Sequence, residues 1–240
     1  MQHTNHLGQP IGFPIANWTP PPIPPQIAME GRYCRIEPMD VDRHVGDLFE
    51  ADQLDVSGAG WTYLPAGPFA ALRDMQEWMR AKLREPGRYI FALLDKRDGR
   101  ASGMASYHRI DRAAGSLEVG FIRLSPRLQR SRAATEAMFL LMQNAFELGY
   151  RRYEWKCDAF NAPSRTAAQR LGFSYEGTFR QATIYKGRNR DTAWYAIVDA
   201  DWPALREAFG RWLDPANFDE AGQQRLRLSD LTHPLIHCTG

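Results

Sequence analysis

A chain of 240 residues, 44% hydrophobic and 24% charged, is long enough for one domain with a full apolar core. Its 30 basic and 28 acidic residues leave a formal net charge of +2, a balance that argues against wholesale attraction to nucleic acid. Cys34, Cys157 and Cys238 are scattered without C-x-x-C spacing, which predicts neither a disulfide framework nor a zinc site. No basic segment followed by an apolar run opens the chain, and no stretch approaches the roughly 20 apolar residues of a membrane span. A cytoplasmic protein with no membrane and no nucleic-acid partner is expected.

Residues 1–29 are proline-rich, with Pro20, Pro21, Pro22, Pro24 and Pro25 close together. Fixed φ and missing amide donors predict an extended arm there, serving as a leader, a packing arm or a docking peptide. Order is predicted from Arg32, where 32–38 alternates as a strand. A helix over 42–54 follows, then a loop over 55–69 rich in glycine, proline and aromatics, then a helix over 70–84. Strands are predicted at 89–94, 101–110 and 116–124, the first two joined by the turn Arg97-Asp98-Gly99-Arg100. A helix over 133–148 ends at Gly149, followed by a strand at 152–157 and a helix at 163–171. Strands at 173–185 and 191–197 complete the pattern. The tail, 201–240, reads as one or two amphipathic helices. This order predicts an α/β domain over 30–200, with a mixed, mostly antiparallel sheet and helices on both faces.

The stretch from Leu117 to Phe173 carries the chemistry. A strand enters the turn Ser125-Pro126-Arg127-Leu128-Gln129-Arg130-Ser131 and then a helix beginning near Ala133. Unpaired backbone N–H groups and the helix dipole at such a junction make an anion site suited to a pyrophosphate. Small side chains at Ser131, Ala133 and Ala134 permit close approach, and Arg127, Arg130 and Arg132 add positive charge.

Residues 30–200 resemble the GCN5-related N-acetyltransferase superfamily, in its RimJ/RimL-type branch of ribosomal-protein N-terminal acetyltransferases. Gln129-Arg130-Ser131-Arg132-Ala133-Ala134 matches the first and last positions of the family's [Gln/Arg]-x-x-Gly-x-[Gly/Ala] loop, with Arg132 where the central glycine usually stands. Asn161-Ala162-Pro163-Ser164, Leu171-Gly172-Phe173 and the Phe173-to-Gly177 continuation are similar to that branch, as are Glu118-Val119-Gly120 and Ala134-Thr135-Glu136-Ala137. The resemblance implies a splayed GNAT sheet that holds the pantetheine of acetyl-CoA like an extra strand. Backbone groups of Ile122 and Leu124 would meet the pantetheine amides, and Gln129, Arg130, Ser131, Arg132, Ala133 and Ala134 would cradle the pyrophosphate.

Glu118 is a candidate general base that would set the acidic limb of the pH–rate profile, or simply an arginine partner. Asn161 either caps the following helix or contacts pantetheine. Ser164 stands where serine is common in a first helical turn. The resemblance makes it the acid for the departing thiolate, because Ala168 occupies the place of the tyrosine many members use. Trp61 and Tyr63, in the aromatic loop, are candidates to line the acceptor entrance, with a satellite apolar cluster as the alternative. Arg132 either contacts a phosphate or obstructs a turn that wants glycine. The run 186–191 reads most simply as a solvated hairpin turn, with help in closing the acceptor site as the alternative. The function expected is acetyl transfer from acetyl-CoA to a primary amine, a small molecule or a protein N-terminus. A non-catalytic acyl-CoA-binding module of the same fold is the alternative. The arm and tail offer surfaces for a homodimer.

Overall fold

The computed structural model describes residues 3–240; residues 1 and 2, part of the expected arm, lie outside them. The arm begins as a small hairpin, β1 (His3–Thr4) with β2 (Pro10–Ile11). It then runs extended across the body, where side chains reach the proline carbonyls. Arg112 Nε donates to Pro21 O at 2.7 Å and the Tyr150 hydroxyl to Pro22 O at 2.9 Å.

Next come β3 (Met29–Glu30), β4 (Cys34–Pro38), α1 (Val41–Asp52) and α2 (Leu72–Leu83). The meander β5 (Tyr89–Asp95), β6 (Arg100–Asp111) and β7 (Ser116–Leu124) follows. Then α3 (Arg132–Glu147), β8 (Arg152–Asp158), α4 (Ala162–Arg170), β9 (Ser174–Tyr185) and β10 (Arg188–Val198) complete the sheet. The tail adds α5 (Trp202–Leu213) and the short α6 (Leu228–Thr232). Strand β3 was not anticipated, because it is a two-residue addition to β4 at the end of the arm.

Eight strands form one sheet in the order β3-β4-β5-β6-β7-β8-β10-β9. Every pairing is antiparallel except β7 with β8, which the crossover helix α3 makes parallel. In β5, Phe91 and Leu93 point into one apolar core while Ile90 and Ala92 point into another, so the strand is apolar throughout. The larger core lies under α3, α4 and α5; the smaller lies under α1 and α2. Stacked rings join α5 to α3, with Phe139 against Phe209 and Phe146 against Trp202. No helix among the described residues is long and apolar enough to cross a membrane.

Glu136, buried in α3, accepts backbone N–H groups from Arg32, Tyr33 and Cys34 at 2.8, 2.6 and 2.9 Å. That carboxylate ties the β3–β4 turn to the helix, and a Cβ at Gly31 would collide with it. A residue of the quoted helix-start motif thus has a structural task.

Candidate active site

The parallel pair β7·β8 runs in register from Ser116↔Arg152 to Val119↔Trp155 and no further. Beyond it, β7 stays with β6 and β8 stays with β10, so a wedge opens between them. A β-bulge contributes to the divergence: Phe121 has φ +54° and the register to β6 shifts there. Its ring is held by stacking on Trp78, with the Arg88 guanidinium 5.0 Å from its centroid. The bulge leaves the β7 edge from Gly120 to Leu124 without a strand neighbour on the β8 side.

That edge leads into the 125–131 turn. Ser131 caps α3, its Oγ accepting from Ala134 N at 3.0 Å. Among the described residues, the backbone N–H groups of Arg130, Arg132 and Ala133 meet no protein acceptor. The turn's one positive φ lies at Arg130 (+57°); Arg132 is the first residue of α3 with helical backbone. A glycine is therefore not required at 132. The Arg132 side chain leaves the turn and lies between the rings of Tyr33 and Phe218, 4.9 and 4.5 Å from their centroids. The phosphate contact considered for this guanidinium does not agree with that placement. The Leu124 carbonyl already accepts Gln129 Nε2 at 2.9 Å and Arg123 Nη1, which leaves its N–H as the group able to meet a ligand. Gln129 thus gives one of its two amide N–H groups to the turn itself.

A cavity of about 580 Å³ lies at the mouth of the wedge, reached by Glu118, Ile122, Asn161, Ser164 and Tyr63. Glu118 sits directly across the β6·β7 ladder from His108. His108 Nε2 lies 2.9 Å from Glu118 Oε1, and Lys156 Nζ lies 3.0 Å from Oε2 and 2.7 Å from Glu154. Burial works to raise the Glu118 pKa, but the His108 hydrogen bond and the charges of His108 and Lys156 hold it below the usual carboxylate range. The lysine approaches Oε2 off the hydrogen-bond direction, so this buried oxygen keeps an unused lone pair. Glycine at 120 lets His108 lie over β7, since a Cβ there would overlap the ring.

Asn161 caps α4, its Oδ1 accepting from Ser164 N at 3.1 Å. The cap uses the carbonyl oxygen and leaves the amide NH₂ for a ligand. Ser164 Oγ in turn accepts the Trp155 indole N–H at 3.0 Å. Next to it, the Cys157 thiol is raised by burial, against the pull of Ser164 and of Arg190.

Across the cavity, the Tyr63 hydroxyl donates to Phe160 O at 3.0 Å, joining the aromatic loop to the β8–α4 connection. Trp61 is not at the entrance as expected. It is 2% exposed and packs edge-on against Phe69 and Trp78 in the smaller core, with Arg123 over its ring. The 186–191 run is more than a solvated turn: Lys186 Nζ donates to Trp61 O at 2.9 Å and Gly67 O at 3.0 Å, fastening the β9–β10 hairpin to the loop.

His108, Lys156 and Trp155 were not singled out from sequence, and Arg190 only as part of the 186–191 run. A bulge at Arg109 (φ +49°) sets His108 against Glu118; counting the β6–β7 hairpin from Asp111↔Ser116 without that bulge would pair His108 with Val119. Arg123 is buried against Asp52 (2.7 Å) and Asp55 (3.2 Å) and offers no charge to a nucleic acid.

A wedge between parallel strands, an anion-seeking turn on one side and a buried carboxylate facing a serine define an acyltransferase of mixed α/β architecture. The sequence profile of the acetyltransferase (GNAT) domain matches residues 35–174, and the chain belongs to that family. A GCN5-related N-acetyltransferase from Brucella melitensis is 44% identical, with a TM-score of 0.88 over 91% of this chain and 99% of that one. A GNAT-family protein of Chromobacterium violaceum is 38% identical, with a TM-score of 0.76 over 82% of this chain and 98% of its own. YdaF of Bacillus subtilis, provisionally named as a ribosomal N-acetyltransferase, is 28% identical over 106 residues. That match spans 44% of this chain and 57% of YdaF.

Proposed function

We propose that this acyltransferase moves the acetyl group of acetyl-CoA to a primary amine by direct attack in a ternary complex. The wedge between β7 and β8 is the observation that carries the reading, since it ends at unpaired N–H groups on one side and at Ser164 on the other. These features fit an extended amide-bearing chain with a diphosphate at its end: free strand edge for the amides, a helix start for the anion. Acetyl-CoA supplies the activated thioester. The residues that would hold it are Ile122, the Leu124 N–H, the backbone of Arg130 to Ala134, and the Asn161 amide. Arg132 contributes its N–H and not its guanidinium.

Glu118 stays ionised and offers Oε2 to the incoming ammonium, directly or through water; ionisation makes it always available and the low pKa makes it a weak base. The new bond joins amine nitrogen to acetyl carbon as the carbon–sulfur bond breaks. The ammonium gives one proton toward Glu118 and on to solvent before attack; Ser164 protonates the departing sulfur and is reprotonated by the second proton that the nitrogen loses. The support for Ser164 is its place on the cavity, with the Trp155 indole N–H donating to Oγ so that the hydroxyl's own proton is not spent on that partner. Tyr63 borders the acceptor's path.

The non-catalytic alternative draws on Arg132 in place of glycine; the helical backbone at that residue, which any side chain can adopt, speaks for the catalytic reading. The cytoplasm, the compartment expected for such a donor and for ribosomal acceptors, is part of this proposal. The test is acetyl-CoA-dependent thiol release over a panel of amines and peptides. Release with at least one amine, abolished by competing CoA, is expected; tight CoA binding with no release from any amine would return the reading to a binding module.

A further inference from the structure

The acceptor can be narrowed by the charges that face it, given the acetyl transfer proposed above. Four cations border the cavity, Arg88, Arg109, Lys156 and Arg190, against two carboxylates, Glu118 and Asp158, with His108 beside Glu118. Both carboxylates are engaged. Glu118 holds His108 and Lys156, and Asp158 accepts the Tyr185 hydroxyl at 2.8 Å and Phe160 N at 2.9 Å.

The cations are not equally engaged. Lys156 is shared by Glu118 and Glu154; Arg88 reaches Glu85 at 3.4 Å and Arg109 reaches Glu118 at 3.6 Å. Arg190 has no carboxylate within ion-pair distance among the described residues; its guanidinium lies 5.9 Å from the centroid of the Tyr185 ring, and its Nε is buried with no acceptor. The strand explains why it faces the cavity: Arg190, Thr192 and Trp194 alternate along β10 and all three border it. Trp194 Nε1 is likewise buried without an acceptor. Two donors at the cavity therefore lack an acceptor, and Glu118 Oε2, though ion-paired with Lys156 at 3.0 Å and Arg109 at 3.6 Å, accepts no aligned hydrogen bond. Buried polar atoms are normally paired, so the three mark what a ligand brings.

We infer that the acceptor carries a carboxylate as well as its reacting amine, the amine meeting Glu118 and the carboxylate meeting the Arg190 guanidinium. A planar guanidinium takes a carboxylate through two parallel hydrogen bonds, which a lysine would not do. Polyamines and aminoglycoside-like amines would bring further cations to four already present, and the site rejects them. The carboxylate has two sources, the α-carboxylate of a free amino acid or an acidic side chain at the start of a peptide.

Matched pairs decide the matter: L-amino acids against their amides, and a Ser-Asp peptide amide against Ser-Asn, each with saturating acetyl-CoA. The carboxylate member of a pair is expected to lead in kcat/KM by about tenfold or more, as for a charged hydrogen-bonded contact. The pair that shows the lead identifies the source. In Arg190→Gln the lead should shrink to within a few-fold while the KM for acetyl-CoA holds. Equal rates within both pairs, or a lead that survives Arg190→Gln, would overturn the inference. So would a raised acetyl-CoA KM with the lead intact, which would assign Arg190 to the donor's phosphates. Should no amine be acetylated, the proposed transfer itself fails. Calorimetry with N-acetyl-L-aspartate and its diamide then still reads the anion site: diacid binding lost in Arg190→Gln supports it, and no diacid binding overturns it.

Discussion

The Trp155 indole N–H donates to Ser164 Oγ across 3.0 Å, from the last paired stretch of β8 to the first turn of α4. An indole can only donate, so the hydroxyl must send its own proton elsewhere. Ser164 borders the cavity, where a departing thiolate would compete with the neighbouring Cys157 sulfur for that proton. Ser164→Ala should lower kcat by about 10²–10⁴-fold, the usual cost of a lost general acid, with acetyl-CoA affinity within a few-fold of wild type. Trp155→Phe keeps the hydroxyl but frees its rotation, and should fall between the two. Steady-state kinetics with a direct binding measurement separates the outcomes; normal kcat in both variants assigns proton return to solvent.

For Glu118 the pH argument is worked from its folded-state pKa, which lies below the ordinary value of about 4.3. A depressed carboxylate stabilises the fold above that value, and the contribution is lost as pH falls through the folded pKa. Acid unfolding of the wild type should therefore steepen below about pH 4.3, and Glu118→Gln should flatten that slope. The same depression corrects an expectation about rate. Glu118 does not titrate near neutrality, so it does not set the acidic limb of kcat/KM there. That limb belongs to the acceptor amine, and Glu118→Gln should lower the profile without shifting it. A limb that vanishes in the variant would restore Glu118 as the titrating base.

Gly120→Ala tests whether His108 matters through its position. The new methyl overlaps the imidazole and must push it off Glu118. Overpacking of this kind costs about 1–3 kcal/mol, well within what a domain survives. Activity should drop more than stability, and the acid-unfolding slope should move toward that of Glu118→Gln. Unchanged kcat with the expected loss in Tm would leave His108 a packing residue.

Arg132 separates side chain from backbone. Its guanidinium is sandwiched by Tyr33 and Phe218, which ties the tail to the turn. Arg132→Ala should cost about 0.5–2 kcal/mol of stability, and Arg132→Gly about 1 kcal/mol more for the helical backbone. Neither should tighten CoA binding. A large loss of CoA affinity in Arg132→Ala, at unchanged Tm, would show the guanidinium leaving its sandwich to meet a phosphate.

The sheet was legible because its strands are either alternating or apolar on both faces, as in β5, and because α1, α3 and α4 begin at Asp40, Ser131 and Asn161, side chains that cap. Glu118, Asn161 and Ser164 were reachable from local motifs, since each sits at a strand or helix start with recognisable neighbours. The partners that give them their chemistry were not. His108, Lys156 and Arg190 lie 10, 38 and 72 positions from Glu118, brought near by strand register and by one bulge. Trp61 misled for the opposite reason: an aromatic in a glycine- and proline-rich loop reads as exposed until the loop is seen folded over α2. Pairing across a sheet is a tertiary property, and hydrophobic period alone does not carry it.

The hairpin clasp gives the last prediction. Lys186, at the tip between β9 and β10, holds two carbonyls of the aromatic loop, Trp61 O and Gly67 O. Its ammonium thereby ties the hairpin to the loop whose neighbouring residues Tyr63, Leu64 and Pro65 border the cavity. Lys186→Met removes three donors while keeping the apolar stem, so the loop should loosen without loss of the core beneath it. The expected result is a higher acceptor KM, by about three- to thirtyfold for one to two lost charged hydrogen bonds, and a smaller change in kcat. Hydrogen exchange at 58–69 should quicken in parallel. Burial, then the neighbouring Arg188, hold the Lys186 pKa below the ordinary lysine value. The clasp thus loses its charge at lower pH than an exposed lysine would as pH rises. Wild-type acceptor KM should climb on the alkaline side, and Lys186→Met should lack that climb. If exchange quickens but KM does not move, the loop is fastened by Lys186 for stability and the acceptor enters by another side.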